Sequence, residues 1–121
     1  MKIAIPMEEK DLNANVCPSF GRAPYFLFWD TDAEKAEYVP NTAATSPGGA
    51  GIKAAQLIAD GSVQALLVPR CGENAVNVLT QAGIPLYKTI PGTARQNIDA
   101  FGTNRLAPLA DVHPGFHGHE Q

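Results

Sequence analysis

The run Val-Gln-Ala-Leu-Leu-Val at residues 63–68 is short, nearly all apolar and followed at once by Pro69. Such a run is typical of a parallel strand covered on both faces, because it has no polar side to turn towards water. A second strand is predicted at residues 2–6, where Ile3 and Ile5 alternate with other residues and Pro6 ends the run. These two strands predict an α/β domain.

A β-hairpin is predicted between them. The aromatic run Tyr25–Trp29 suits a buried strand, Asp30-Thr31-Asp32 supplies turn chemistry, and Glu37–Val39 returns as the partner strand. A helix is expected over residues 48–60, because apolar residues recur there at helical spacing. Its predicted limits are Ser46 as N-cap, Pro47 at the first helical position and Gly61 directly after the end.

The second half of the chain repeats the alternation of helix and strand. A helix is predicted over residues 73–82 with Gly83 as its stop, followed by a short strand at 84–87. Thr93-Ala94-Arg95-Gln96 forms a capping box that opens a helix through Phe101. After Leu106 the chain is rich in Pro, Gly and His, so we expect a folded domain over residues 1–106 and a flexible tail over 107–121.

This order of elements predicts a mixed five-stranded sheet with helices packed on it in a single domain. If strands 2–6 and 63–68 are parallel neighbours, their carboxyl ends open at one edge, and the return strand of the hairpin points the same way. The loops that carry Cys17, Asn41–Gly49 and Arg70-Cys71-Gly72 then converge at this edge, where open α/β sheets bind ligands. The long loop 7–22 is itself a sign of function.

Composition excludes several classes of protein. The 121 residues carry a net charge of −3 without clustered Lys or Arg, which argues against nucleic-acid binding. No apolar run reaches the ~20 residues that span a bilayer, and the amino terminus lacks the apolar region of a signal peptide. We therefore expect a cytoplasmic protein that contacts no membrane. Two cysteines are too few for a disulfide framework.

The cysteines are candidate metal ligands or redox centres. Cys71 follows a buried strand and precedes a helix amino terminus, whose dipole is expected to favour a thiolate. Cys17 lies in the long loop and is either a ligand or a small core residue. No Ser-His-Asp set, no paired carboxylates at helical spacing and no His before residue 113 are present. We therefore expect no catalysis.

Two further segments are candidates for ligand binding. Gly48-Gly49-Ala50-Gly51 starts a helix, so its free N–H groups suit an anion, although a tight turn would also need these glycines. The pattern fits neither a Walker A loop nor a dinucleotide fingerprint. The tail residues His113, His117 and His119 could chelate zinc, nickel or copper, or they form a solvated terminus.

Several segments together carry a family resemblance. Met1–Pro6 and Phe-Gly-Arg-Ala-Pro-Tyr-Phe at residues 20–26 resemble the dinitrogenase iron-molybdenum cofactor biosynthesis family. Further matches follow in the family's order, so that the resemblance spans residues 1–102: Asn41, Gly48–Ile52, Cys71–Ala75 and Ala82–Ile84. The resemblance implies a ribonuclease H-like α/β fold and a role in carrying iron-molybdenum cofactor, its precursors or a related metal-sulfur cluster.

The expected function is therefore a carrier for a metal-sulfur cofactor, of iron-molybdenum or iron-sulfur type, with assembly or acceptor proteins as partners. Cys17 and Cys71 would contact the cluster with Ser19 or Asn41, Arg22 would balance its charge, and Gly48, Gly49 and Gly72 would contribute backbone groups. The family often has His at position 19 and Gly at position 71, so the resemblance implies that a thiolate here replaces an imidazole. A thiol redox protein that uses Cys17 and Cys71, and a metal-free regulatory or interaction domain, are the alternatives.

Overall fold

The computed structural model describes residues 1–109 and the backbone of residues 112–113. The strands are β1 (Lys2–Met7), β2 (Tyr25–Asp30), β3 (Lys35–Pro40), β4 (Ala65–Val68), β5 (Cys71–Gly72), β6 (Leu86–Lys88) and β7 (Val112–His113). The helices are α1 (Ala50–Asp60), α2 (Glu73–Gln81) and α3 (Ala94–Gly102). None of the helices in this described part has the length and apolar character needed to cross a membrane.

Five strands form one mixed sheet in the order β3-β2-β1-β4-β6. β1 pairs antiparallel with β2, which pairs antiparallel with β3. On its other side β1 is parallel to β4, which is parallel to β6. The mixed five-stranded sheet, the hairpin and the parallel central pair of the sequence prediction are thus confirmed, within a single small α/β domain.

The sheet is covered on both faces, which explains the apolar character of β4. Leu66 and Val68 face the helices α1 and α2, whereas Ala65 and Leu67 face α3. β1 divides in the same way, with Ala4 in the first cluster and its isoleucines in the second. Because alternate residues of a strand point to opposite faces, the two central strands need apolar residues at every position.

Three predicted boundaries are corrected by the backbone. β1 runs through Pro6 to Met7. Its pairing with β4 covers only Ile3 and Ala4, so the missing N–H of Pro6 interrupts no hydrogen bond between β1 and β4. Ser46 is not the N-cap of α1, which begins at Ala50 after Gly49 in the left-handed region with φ 69°. Ile84 closes a Schellman cap, as its N–H donates to the Leu79 carbonyl at 2.9 Å, so β6 begins only at Leu86.

Glycines limit the helices in different ways. Gly83 has φ +77° and ends α2 as predicted, because a left-handed residue there favours glycine. Gly61 has φ −85° and is needed for another reason, since a Cβ there would lie 2.6 Å from Cε2 of Phe28. The predicted capping box of α3 is confirmed, because Thr93 and Gln96 each accept a hydrogen bond from the other's backbone N–H.

The chain remains paired beyond the predicted domain end at residue 106. Lys88 N–H donates to the Ala107 carbonyl at 2.8 Å, and Leu109 N–H donates to the Leu86 carbonyl at 3.0 Å. Further on, β7 pairs in parallel with β5. The flexibility assigned to residues 107–121 stays a prediction; His117 and His119 lie outside the described residues, as does the side chain of His113.

Candidate functional site

The predicted convergence of loops is found at the carboxyl edge of the sheet. The loop after β1, the approach to α1 and the turn after β4 surround an open groove of about 630 Å³, a size in the range of small-molecule sites. It is lined by Pro18, Ser19, Phe20, Gly21, Arg22, Gly49, Ala50, Gly51, Ile52, Arg70, Cys71, Gly72, Glu73, Asn74 and Ala75. We call this the edge groove.

Two helices begin at the edge groove. Residues 49–52 are the amino end of α1 and residues 72–75 that of α2, and neither N-cap residue gives a side-chain hydrogen bond to its helix. The first N–H groups of a helix have no partner within the helix, and the helix dipole adds about half a positive charge at this end. The groove therefore presents two positive helix ends to one ligand.

A close backbone contact holds the first loop against α1. A Cβ at Gly21 would lie 3.0 Å from the nitrogen of Gly51 and 3.3 Å from the carbonyl carbon of Ala50. Backbone atoms of a helix cannot give way as a flexible side chain does. Glycine at position 21 thus allows residues 18–22 to form one wall of the groove directly beside the start of α1.

Arg22 ties two of the loops together. Its Nη1 donates to the carbonyls of Ala44 and Ser46 at 2.9 and 2.7 Å, and its backbone N–H donates to Ser19 Oγ at 3.3 Å. The side chain is exposed and lines the groove together with that of Arg70. Against these two positive charges the lining includes one acidic residue, Glu73. The charge of the lining side chains is therefore +1, although the whole chain carries −3.

Asn41 acts behind the groove and does not line it. Its side chain is 5% exposed, and Nδ2 donates to the carbonyls of Gly21 at 3.1 Å and Ala23 at 2.8 Å. Oδ1 accepts from the N–H of Ala43 at 3.1 Å. The amide is therefore committed to joining the loop before β2 to the loop after β3.

Cys71 lies in the groove lining but is only 1% exposed. Burial raises the pKa of its thiol to about 12, and a backbone hydrogen bond at Gly72 opposes this shift without cancelling it. The sequence-based expectation of a thiolate with a lowered pKa was therefore wrong. The thiol is protonated near neutral pH unless a metal replaces the proton.

Cys17 is placed at the same edge of the sheet, but it is not among the groove-lining residues. Its backbone N–H donates to the Pro6 carbonyl at 2.8 Å, and its Sγ lies 3.4 Å from the Ser19 carbonyl oxygen. Burial is also the main cause that raises the pKa of this thiol, and Glu8 adds to the shift. Both cysteines are free and buried, a setting in which thiols react slowly.

The structure brings together five of the predicted site residues in the groove lining: Ser19, Arg22, Gly49, Cys71 and Gly72. Gly48 directly precedes this lining, and Cys17 and Asn41 lie outside it. The sequence analysis placed Arg70 in the converging turn, but it counted neither Arg70 nor Ile52 among the candidate site residues. Arg70 adjoins Cys71 in the same turn, and Ile52 is an apolar residue that is 45% exposed on α1, outside its buried stripe. Within the described residues, no three His, Cys, Asp or Glu side chains group to hold a metal ion.

The sequence pattern of the family described as "Dinitrogenase iron-molybdenum cofactor" matches residues 1–104. The chain belongs to this family. An uncharacterized protein of Methanocaldococcus jannaschii is 35% identical over 109 residues, which cover 88% of this chain and 89% of that protein. The family resemblance noted from the residue motifs is thereby confirmed.

Several solved structures share the fold of this chain. The apo form of the orange protein from Desulfovibrio gigas superposes with a TM-score of 0.86 at 35% identity, over 91% of this chain and 93% of that one. A putative NifB protein from Thermotoga gives a TM-score of 0.80 at 36% identity, over 94% and 97%. A putative dinitrogenase from Methanocaldococcus jannaschii, at 21% identity and a TM-score of 0.68 over 92% and 96%, supports the fold alone.

Proposed function

We propose that this chain binds and carries an anionic metal-sulfur cofactor, of iron-molybdenum or iron-sulfur type, in the edge groove, and that it catalyses no reaction. The observation that carries the proposal is the meeting of two uncapped helix amino ends around a buried thiol, with Arg22 and Arg70 in the same lining. Helix amino ends and guanidinium groups are the usual partners of anions in proteins. Family membership supports a cofactor of this class.

The donor set favours a cofactor that arrives already assembled. A structural zinc ion takes four protein ligands, and an iron-sulfur cluster is usually held by four cysteines. The groove lining offers one thiol, that of Cys71. A cluster that carries its own sulfide ligands and negative charge needs fewer protein ligands, because N–H and guanidinium groups can hold its outer sulfur atoms.

The two cysteine thiols also argue against the alternative of a thiol redox protein. A reactive thiol needs a lowered pKa and access to solvent, and both cysteines are buried with raised pKa values. A carrier has the opposite requirement. Its soft ligand stays protonated and unreactive until a metal displaces the proton, so the free protein is protected from oxidation before loading.

The test is binding of tetrathiomolybdate, a small molybdenum-sulfur dianion, measured by anaerobic equilibrium dialysis with molybdenum analysis. Molybdate serves as the oxygen-containing control ligand. We expect tetrathiomolybdate to bind more tightly than molybdate, because the soft Cys71 thiol can replace one sulfide of the first anion, its proton leaving with that sulfide as hydrosulfide, more readily than it replaces an oxide of the second. Equal binding of the two anions, or no binding of tetrathiomolybdate, would contradict the proposal.

Two matched pairs of variants place the ligand in the groove. Cys71→Ser should weaken binding at least ~10-fold as a lost metal ligand, whereas Cys17→Ser should have the smaller effect. Arg70→Gln should weaken binding roughly 10-fold through a lost charged hydrogen bond. Lys35→Gln makes the same change of charge on β3, outside the groove lining, and should leave affinity nearly unchanged. If the two variants of each pair change the affinity equally, the ligand binds outside the edge groove.

A further inference from the structure

The carboxy-terminal part of the described chain returns to the edge groove. Residues 107–109 run along β6, where Tyr87 and Pro108 form an antiparallel bridge. A few residues later β7 pairs in parallel with β5, with Cys71 opposite Val112 and Gly72 opposite His113. Residues 107–109 thus lie at the outer edge of the sheet, and residues 112–113 lie beside the two residues that carry the groove thiol and the N-cap of α2.

β5 has no place in the five-stranded sheet. Pro69 and Arg70 separate it from β4, and within the described residues its strand partner is β7. The same two residues of β5 line the groove, and α2 begins directly after them at Glu73. β7 also packs against α2. A single short pairing therefore adjoins both the residue that carries the thiol and the first turn of α2.

We propose that β7 is a positioning element of the edge groove: its pairing with β5 keeps the Cys71 thiol buried and holds the first turn of α2 towards the ligand. The effect on cofactor binding rests on the proposed function, whereas the effect on the thiol does not. A two-residue pairing contains few hydrogen bonds, so it opens more readily than the core strands. The two effects are linked. If the β5–β7 pairing strengthens ligand binding by a given factor, the bound ligand strengthens the pairing by the same factor.

The deciding comparison is Val112→Pro against Val112→Ala in the full chain. Both changes remove the valine side chain, but only proline removes the backbone N–H and disfavours strand pairing. The first measurement is the rate of Cys71 alkylation by iodoacetamide, read by mass spectrometry of the Cys71 peptide. Val112→Pro should alkylate roughly 10-fold faster than Val112→Ala, as expected when about one or two hydrogen bonds are lost. Equal rates would overturn the proposal.

The second measurement is the affinity for tetrathiomolybdate. Val112→Pro should bind about 3- to 10-fold more weakly than Val112→Ala, while urea midpoints from Trp29 fluorescence show that both variants are folded. His113→Ala keeps the backbone, so its rate of Cys71 alkylation should match that of the parent. If His113→Ala loses affinity with an unchanged alkylation rate, the tail contributes an imidazole ligand and the positioning role is wrong.

The two measurements separate this proposal from the proposed function. A parent protein that binds no tetrathiomolybdate, combined with faster alkylation of Val112→Pro than of Val112→Ala, refutes the proposed function and supports the positioning of the thiol by β7. A parent that binds the anion, combined with equal alkylation rates, supports the proposed function and refutes the role of β7.

Discussion

Cys71 lies directly before the first turn of α2, where the helix dipole favours a thiolate, and yet its pKa is raised to about 12. The sizes of the two opposing effects, the helix dipole and desolvation, explain why the pKa rises. A helix terminus contributes about 0.3–1 kcal/mol in exposed positions and up to ~2 kcal/mol in partly buried ones. Full burial of an ionisable group shifts its pKa by up to about 3–5 units, each of which is worth ~1.4 kcal/mol. Desolvation is the larger effect at this site.

This pKa predicts a slope in stability at alkaline pH. An unfolded Cys71 loses its proton near pH 9 and the folded one near pH 12, so between these values the folded state binds one more proton than the unfolded state. The free energy of unfolding should then fall with rising pH by up to about 1.4 kcal/mol per unit from this residue alone. Urea unfolding at several pH values from 8 to 11 would measure it.

Cys71→Ala is the control for this slope, because it removes the thiol and leaves every other ionisable group in place. The stability advantage of the parent over the variant should be constant below pH 9 and should shrink above it. Two stability curves that stay parallel up to pH 11 would show that the thiol is not strongly desolvated.

At the scale of elements, the edge groove depends on how closely loop and helix approach one another. The wall formed by residues 18–22 touches α1 through Gly21, and Asn41 joins this loop to the segment after β3. Neither residue needs to contact a ligand to affect binding. The segment Phe-Gly-Arg at residues 20–22 thus has a packing role in this chain, since the arginine reaches Ala44 and Ser46 from a loop held in this place.

Gly21→Ala should therefore destabilise the fold, whereas Gly48→Ala should not. At position 21 the new methyl group meets helix backbone at 3.0 Å, and overpacking of this kind costs about 1–3 kcal/mol. At Gly48 a Cβ finds no heavy atom within 4 Å, so the change should stay within ~0.5 kcal/mol. Urea unfolding measures both. Equal stability of the two variants would mean that the loop moves away from α1 without cost.

The helix starts show what local sequence can and cannot predict. Thr93 and Gln96 form their capping box as expected, because both partners lie within the same four residues. Ser46-Pro47 has the same appearance of a helix start, but the chain turns through Gly49 first. The Ser46 carbonyl accepts from Arg22, and its hydroxyl lies 3.5 Å from Nζ of Lys53. Ser46 is thus engaged by a residue 24 positions away, and the local sequence pattern does not contain this contact.

At the scale of the whole molecule, the sequence predicts which loops meet but not how deep each residue lies. The apolar runs of β1 and β4 indicate a parallel central pair, which places two loops at one edge, and the hairpin returns β3 with the third loop to the same edge. The burial of Cys17 and Asn41 behind the groove depends on neighbours from distant segments. The pairing of β5 with β7 could not be predicted, because two residues show no periodicity.

The two faces of the sheet should unfold as one unit. Each central strand contributes alternate residues to the cluster under α1 and α2 and to the cluster under α3, so neither cluster can lose its strands alone. Trp29, the single tryptophan, reports on the α3 side, and Cys71 belongs to the cluster on the other side. During urea unfolding, Trp29 fluorescence and pulsed alkylation of Cys71 should therefore give the same midpoint.

A pair of core variants tests this coupling from both sides. Leu79→Ala removes a buried side chain from α2, and Ile98→Ala removes one from α3 on the opposite face. Each should cost about 2–5 kcal/mol and should lower both midpoints equally, because the lost packing energy belongs to one cooperative transition. If Leu79→Ala shifts the alkylation midpoint and leaves the Trp29 transition in place, the faces unfold separately. The groove could then open while the α3 side remains folded.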